Sequence, residues 1–436
     1  MCVRAVSAID LRWFGCEHHG VKSASELDAA DPLAPFRDLF VHDPQESDLI
    51  YLDGNSLGRQ PSAVSEVLER VVYEEWATRL IRGWNEGWLD ISGSVGDLIG
   101  SLLHAQAGEV TLAENTSVCL YKVATATLKT RSDRKKLVTD SENFPSDIQI
   151  LGSACASAGH NHHLEVVDTT SGSDPMAQLV AALDDSTALV SLSHVSYKSG
   201  WRWNLREVNE VAESCGALVL WDFSHSIGAV PIDVATERVG LAVGCTYKYL
   251  NGGPGAPAFI YVSSDYPELT NPVAGWFGST APFSFDPASP PAAGTERFLT
   301  GTPHVVSAAL VEPGVQMLLD AGMERVYEKS VALSERFIQL SDQQLTILGF
   351  DVRSPRNSDQ RGSHIALFHP YAQAVGLALI NEQSVIPDFR PPDLLRFGFA
   401  PLYTSFADVD ATVDRIVDVV EGGGIDRWRD ENPLVP

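Results

Sequence analysis

Two hydrophobic periods alternate along the chain. Short apolar runs with little internal alternation, Val110–Ala113, Ala188–Ser193, Ala217–Trp221 and Val239–Cys245, predict strands buried on both faces of a sheet. Between them lie segments at helical spacing: a helix from Pro61 to Arg79, then ATLKT (126–130), AQLVAAL (177–183) and LREVNEVAESC (205–215). Strands alternating with helices predict an α/β fold with a mainly parallel sheet. From Pro303 the pattern turns helical. It then passes through strand-like ILGFDVRS (347–354) and SHIALFHP (363–370), a helix at AQAVGLALINEQ (372–383), the apolar run LLRFGFAPLY (394–403) and a closing helix at 408–423. The expected organisation is an N-terminal extension over 1–35, disordered or a non-native start, and a segment over 36–60 packing with the small domain. A large domain over 61–310 and a small C-terminal domain over 311–436 complete it.

With 436 residues and 44% hydrophobic content, the chain can bury a large core in two domains. Its net charge of −26 argues against nucleic acid or an anionic membrane as the main partner, since both draw basic surfaces. No apolar run approaches the ~20 residues of a membrane span. Arg4, Asp10 and Arg12 interrupt the N-terminus where a secretory signal needs an apolar stretch. Cys2, Cys16, Cys119, Cys155, Cys215 and Cys245 show no CxxC or zinc spacing, which suits thiols in a reducing cytoplasm. Cys16 with His18 and His19, and the run HNHH (160–163), hint at metal. A mobile tail and a solvated turn are the simpler readings, and no metal is expected.

The chemistry gathers in Gly216–Asn251. The apolar run there ends at Asp222, and a carboxylate at the carboxyl end of a parallel strand points into a ligand site. His225 follows, and Tyr247-Lys248 come just past the next apolar segment. An acid and a lysine so placed are the minimal pair for pyridoxal phosphate: the lysine condenses with the aldehyde, and the acid pairs with the ring nitrogen. Such a pair also arises by chance. Ser193 closes the preceding strand, so Ser193, Asp222 and Lys248 sit at or past successive strand ends. Asn115, Thr116 and Ser117 open a helix, where a phosphate finds free N–H groups; a plain cap would need only one of them.

The text DFSHSIGAVPIDV followed by CTYKYLNGGPGAPAFIYV resembles the kynureninases, a group within fold type I of the pyridoxal-phosphate enzymes. YLDGNSLGRQP (51–61), NFPSD (143–147), SHVSYKSG (193–200), GWFG (275–278) and DFRPPDLLRFGFAPLYTSFADV (388–409) extend the resemblance in order from Tyr51 to Val409. It implies a large domain on a mainly parallel, seven-stranded sheet, a smaller α+β C-terminal domain, and a homodimer. It also implies hydrolytic Cβ–Cγ cleavage of L-kynurenine to anthranilate and L-alanine. In that reading Lys248 moves the Cα proton, Asp222 holds the ring nitrogen, and Tyr247 donates the last proton while touching the phosphate. Thr116 and Ser117 hold the phosphate, Phe144 stacks on the ring, and Asp147 and Ser193 lie near it. His225 orients Asp222, or is a satisfied core histidine. Trp276 and Thr302 reach across the dimer interface to the neighbour's cofactor. Ser56 contacts substrate or makes a plain turn; Trp84 faces the substrate's aromatic ring or belongs to the core. Arg396 grips the substrate α-carboxylate bidentately or makes a surface salt bridge. Trp84 with Thr302 matches the bacterial pattern, which prefers kynurenine over its 3-hydroxy form.

Two other readings stay open at this point. One is a different fold type I enzyme, cysteine desulfurase-like or epimerase-like. Cys245 counts against a desulfurase, because it sits in an apolar segment too close to Lys248 to be a mobile reactive thiol. The other is a non-catalytic cofactor-binding regulator, which would carry a basic DNA-binding module that neither end of this acidic chain offers.

Overall fold

The computed structural model describes residues 22–159, 161–170 and 174–431. Cys2, Cys16, His18, His19 and His160 lie outside the described residues. The large sheet has seven strands: β1 Val110–Leu112, β2 Lys136–Asp140, β3 His163–Val167, β4 Thr187–Ser193, β5 Leu218–Asp222, β6 Leu241–Gly244 and β7 Phe259–Val262. Their spatial order is β1-β7-β6-β5-β4-β2-β3. Neighbours from β6 to β3 pair in parallel, while β7 runs antiparallel to both β1 and β6.

The continuous apolar runs have a simple cause. In β5, Val219 and Trp221 face a core shared with Ile99, Phe223 and Phe259, while Leu220 faces a second core with Leu120, Leu189 and Ile260. Both faces are covered, so neither position in the two-residue period can be polar. Only at the edge strand β3 do His163, Glu165 and Val166 reach solvent, and charge there blunts pairing with another chain.

A second sheet serves the C-terminal unit: β8 Asp351–Val352, β9 His364–Phe368, β10 Asp388–Arg390 and β11 Leu394–Gly398, in the order β10-β11-β9-β8 and antiparallel throughout. Helices Met323–Leu340, Ala372–Gln383 and Phe406–Glu421 cover it, around a core of Phe337, Ile365, Phe397 and Phe399.

Two stretches differ from expectation. Residues 23–35, read as part of a loose extension, fold onto the body. Ser23 and Glu26 form a reciprocal cap on the helix Ala24–Ala29. Leu27 enters the small core and Leu33 the large one. Asp31 pairs with buried Lys329 at 2.6 Å. Downstream, Ile50–Tyr51 pairs in parallel with Val385–Ile386. The expected helix from Pro61 to Arg79 is α-helical only over Val64–Glu69 and continues as a π-helix over Arg70–Arg79. Of that π-helical stretch only Val71 is buried, and Tyr73 and Trp76, with Leu80 and Ile81 after it, remain on the surface. No single helix among the described residues is long and apolar enough to cross a membrane.

Candidate active site

The carboxyl ends of β2, β4, β5 and β6 converge. Ser193 and Asp222 are direct register partners, and Asp222 stands opposite Val243. Asp222 Oδ1 accepts from the Ser224 amide at 2.9 Å and the Ser224 hydroxyl at 2.6 Å. That hydroxyl in turn accepts from the Cys245 amide at 3.0 Å, tying the end of β5 to the end of β6. Ser193 Oγ donates to Asn143 Oδ1 at 2.8 Å and lies 3.4 Å from Asp222 Oδ2.

Lys248 Nζ lies 2.8 Å from His225 Nε2. This corrects the expectation that His225 orients Asp222. The turn after β5 gives the carboxylate to Ser224, two residues on, and carries His225 past it to the lysine. Burial first, then the Lys248 and Arg396 charges, hold His225 well below the ordinary histidine range, so the ring is neutral and Nε2 accepts.

Asp147 is buried, and its Oδ2 finds no hydrogen-bond partner among the described residues. Burial and the neighbouring Asp222 charge push its carboxyl well above the usual range, with Lys248 pulling the other way. Two carboxyls and one amine thus lie close enough to act on one another's charge. Phe144 stands just before the helix Pro145–Ala158, without a side-chain capping bond, and meets Tyr197 edge-on at 5.0 Å. The helix Thr116–Thr130 is capped by Asn115 alone, whose oxygen accepts from Val118 at 3.1 Å. Thr116 and Ser117 are therefore not needed as caps, and Ser117 Oγ lies 3.2 Å from Ser146 Oγ at the start of the second helix. Tyr247 is pushed up, mainly by burial and then by Cys245 and Asp222, which keeps it a protonated phenol.

Arg396 approaches from the small domain and is 1% exposed, so it is no surface salt bridge. Nε donates to Asp388 Oδ2 at 2.7 Å, Nη1 to the Tyr197 carbonyl, and Nη2 to Ser56 Oγ at 3.1 Å. Asp388 is its register partner across β10 and β11, and Asp388 Oδ1 also takes Arg390 at 2.9 Å. Burial lowers the Arg396 guanidinium to about 10, which leaves it charged at neutral pH.

Three expected site residues stand elsewhere. Trp84 packs on Trp88, Phe277 and Phe283, with ring centres 5.6 to 6.1 Å apart, and Trp276 joins the same aromatic group. Thr302 lines a cavity of about 200 Å³ with Glu114, Pro257 and His304. No hydrogen bond or ring contact among the described residues links these three to Lys248.

Several residues escaped the sequence reading: Asn143, Ser224, Asp388 and Arg390, which hold the expected ones, and buried His364. An aspartate two residues before a serine is a signal for the Asp222–Ser224 turn; the others carry no local signal. Asp140, at the end of β2, is 2% exposed, and burial raises it to about 7. The folded chain therefore holds a proton that the unfolded chain releases, and stability falls as pH rises from about 4 to about 7. Asp140→Asn removes that cost. Urea unfolding is expected to show the variant more stable than wild type by about 1–3 kcal/mol at pH 8 and nearly equal at pH 4. An equal gap at both values would sink the assignment.

The model of the kynureninase C-terminal domain family matches residues 326–416. Kynureninase from Pseudomonas fluorescens is 40% identical over 401 residues, 91% of this chain and 94% of its own. Kynureninase from Burkholderia pseudomallei is 39% identical over 414 residues, 94% of this chain and 96% of its own. Solved structures share the fold at lower identity. A cysteine desulfurase from Thermococcus onnurineus NA1 aligns with a TM-score of 0.73 at 18% identity, covering 89% of this chain and 98% of that one. A C-DES variant with glycine covalently linked to its PLP cofactor aligns with a TM-score of 0.77 at 19% identity, covering 88% and 99%. With a fold of this kind, the convergent strand ends, and near-full-length relatives at this identity, this chain belongs to the kynureninase family.

Proposed function

We propose that the chain is a pyridoxal-phosphate-dependent hydrolase that splits L-kynurenine into anthranilate and L-alanine. One observation carries the reading: an amine, a buried carboxylate pair and a buried arginine gather beyond the strand ends. The residues fit the cofactor. The partnerless Oδ2 of Asp147 and the Asp222 carboxylate suit a protonated ring nitrogen, and two helix starts with Thr116, Ser117 and Ser146 suit a phosphate. When bound, the cofactor supplies an electron sink that lets bonds at Cα and Cβ break.

The chain's own groups divide the remaining work. Lys248, hydrogen-bonded to His225, is the amine that would hold the cofactor's aldehyde and would move the substrate's Cα proton. Asp222, fixed by Ser224, and Ser193 would hold the cofactor's ring, with Phe144 as the aromatic to pack against it. Tyr247, kept protonated, donates a proton late in the reaction. Arg396 and Ser56 take the substrate α-carboxylate. The test is growth of anthranilate fluorescence and equimolar alanine on adding L-kynurenine to the cofactor-loaded protein. Silence from a yellow, loaded protein would overturn the reading.

The proposal includes a cytoplasmic homodimer. Trp276, Thr302 and Trp84 make no hydrogen bond or ring contact with Lys248 among the described residues; Phe283 and Phe285 pack on Trp276 as an exposed apolar face, and Tyr73, Trp76 and Ile81 are exposed as well. A second copy covering that face brings Trp276 and Thr302 to the neighbour's phosphate. Mixing Lys248→Ala with Trp276→Ala subunits should then restore activity that neither variant has; no recovery on mixing would count against shared sites. With Trp84 and Thr302 in place, kcat/KM for L-kynurenine should exceed that for 3-hydroxy-L-kynurenine. A ratio above about tenfold in favour of the 3-hydroxy ring would refute the assignment of these two residues.

A further inference from the structure

Beyond the residues assigned above, the pocket holds a second buried imidazole. His364 opens β9 of the small domain, is 0% exposed, and finds no hydrogen-bond partner at either ring nitrogen among the described residues. Its ring centre is 5.8 Å from that of His225. His225 has a matching vacancy: Nε2 accepts from Lys248, so the ring proton sits on Nδ1, and Nδ1 is buried without a partner. Rings with centres this far apart can bring facing nitrogens to ~3.5 Å, one small rotation or one water short of a hydrogen bond. Unpaired buried donors are rare in folded proteins because they are costly.

The hydrogen bond from Lys248 settles which ring gives and which takes, since it leaves the His225 proton on Nδ1. The Lys198 carbonyl favours a proton on His364. Gly200, at φ +74°, holds that turn against the strand; a Cβ there would come within 2.9 Å of the His364 carbonyl. A neutral His364 carries one ring proton and one lone pair, and with neither nitrogen partnered among the described residues the lone pair is free for the Nδ1 proton of His225. The charged groups around the two rings are Lys248 from the large domain and Arg396 and Arg390 from the small one, and all three oppose a second proton on either ring.

We propose that His364 is a positioning residue for Lys248: it accepts the Nδ1 proton of His225, directly or through one water, and so locks the tautomer whose Nε2 receives the lysine. The chain of donors runs from Lys248 through His225 to His364, and it crosses from the large domain to the small one. This rests on Lys248 being the working amine.

The test compares His364→Phe, which keeps bulk and loses the acceptor, with His364→Gln, whose amide oxygen can replace it. Nitrogen NMR of the cofactor-free protein reads the His225 tautomer, assigned by its loss in His225→Gln. Trinitrobenzenesulfonate labelling against pH, followed at the Lys248 peptide, reads the amine. The expected result is an Nδ1–H tautomer in wild type and His364→Gln. In His364→Phe the proton moves to Nε2 and the labelling midpoint falls by about 1 pH unit, because the ammonium has lost its acceptor. In the loaded enzyme kcat should fall about tenfold for His364→Phe with KM unchanged, and recover in His364→Gln. An unchanged tautomer and midpoint in His364→Phe would overturn the proposal, as would a shift that His364→Gln fails to reverse. Both readouts need no turnover, so a wild-type protein inactive on L-kynurenine would defeat the function and leave this result legible.

Discussion

Lys248→Ala is expected to fold normally and lose about 10,000-fold in turnover of L-kynurenine. The fold should survive because the sheet and its two cores do not depend on this side chain: Lys248 is in a turn after β6, and its hydrogen bond is to His225. Activity should not survive, because no other amine with a proton acceptor faces Asp222 and Asp147 from these strand ends among the described residues. Arginine at the same position is expected to be as inactive, since it cannot give up its proton at neutral pH. The measurement is anthranilate release under saturating substrate, with thermal unfolding as the control. A variant keeping a tenth of wild-type kcat would remove Lys248 from the chemistry. Cys245 gives no substitute nucleophile: it is buried, and burial pushes its thiol up, away from the reactive thiolate.

Arg396→Met should act on binding instead. The guanidinium is fixed by Asp388, Ser56 and the Tyr197 carbonyl before any substrate arrives, so its geometry is set in advance. Removing a buried charge that pairs with a carboxylate costs about 2–5 kcal/mol, which corresponds to a rise in KM of about 30- to 5,000-fold. The loss should appear in KM more than in kcat, because the α-carboxylate is held equally before and during bond cleavage. Stability should fall less than for an ordinary buried pair. Asp388 keeps Arg390 at 2.9 Å and is not left alone. Lysine at this position should be nearly as poor, since one ammonium cannot span Asp388 and the substrate together. A KM within threefold of wild type for Arg396→Met would place the carboxylate elsewhere.

The strands were legible in the sequence for a physical reason. Leu218–Asp222 and Thr187–Ser193 are covered on both faces, so burial wrote itself into continuous apolar runs. Asp222 and Lys248 were legible for the same reason, as polar residues where such runs stop. What surrounds them was not. The direction of His225 depends on a turn that Ser224 closes, and the hold on Arg396 depends on a hairpin register with Asp388. Neither leaves a trace in local composition. Residues 23–35 look like a polar tail because only Leu27 and Leu33 mark their two docking points. Trp84 joins an aromatic group with Phe277 and Phe283 that no local pattern announces.

The parallel pairing of Ile50–Tyr51 with Val385–Ile386 joins stretches that leave the ribosome far apart in time. The early segment cannot find its place until Val385 and Ile386 have been made, and meanwhile Leu27, Ile50 and Leu52 have no small-domain core to enter. Nascent chains halted before Val385 should therefore stay bound to chaperones and open to proteases at residues 23–52, and close only once the later strand has emerged.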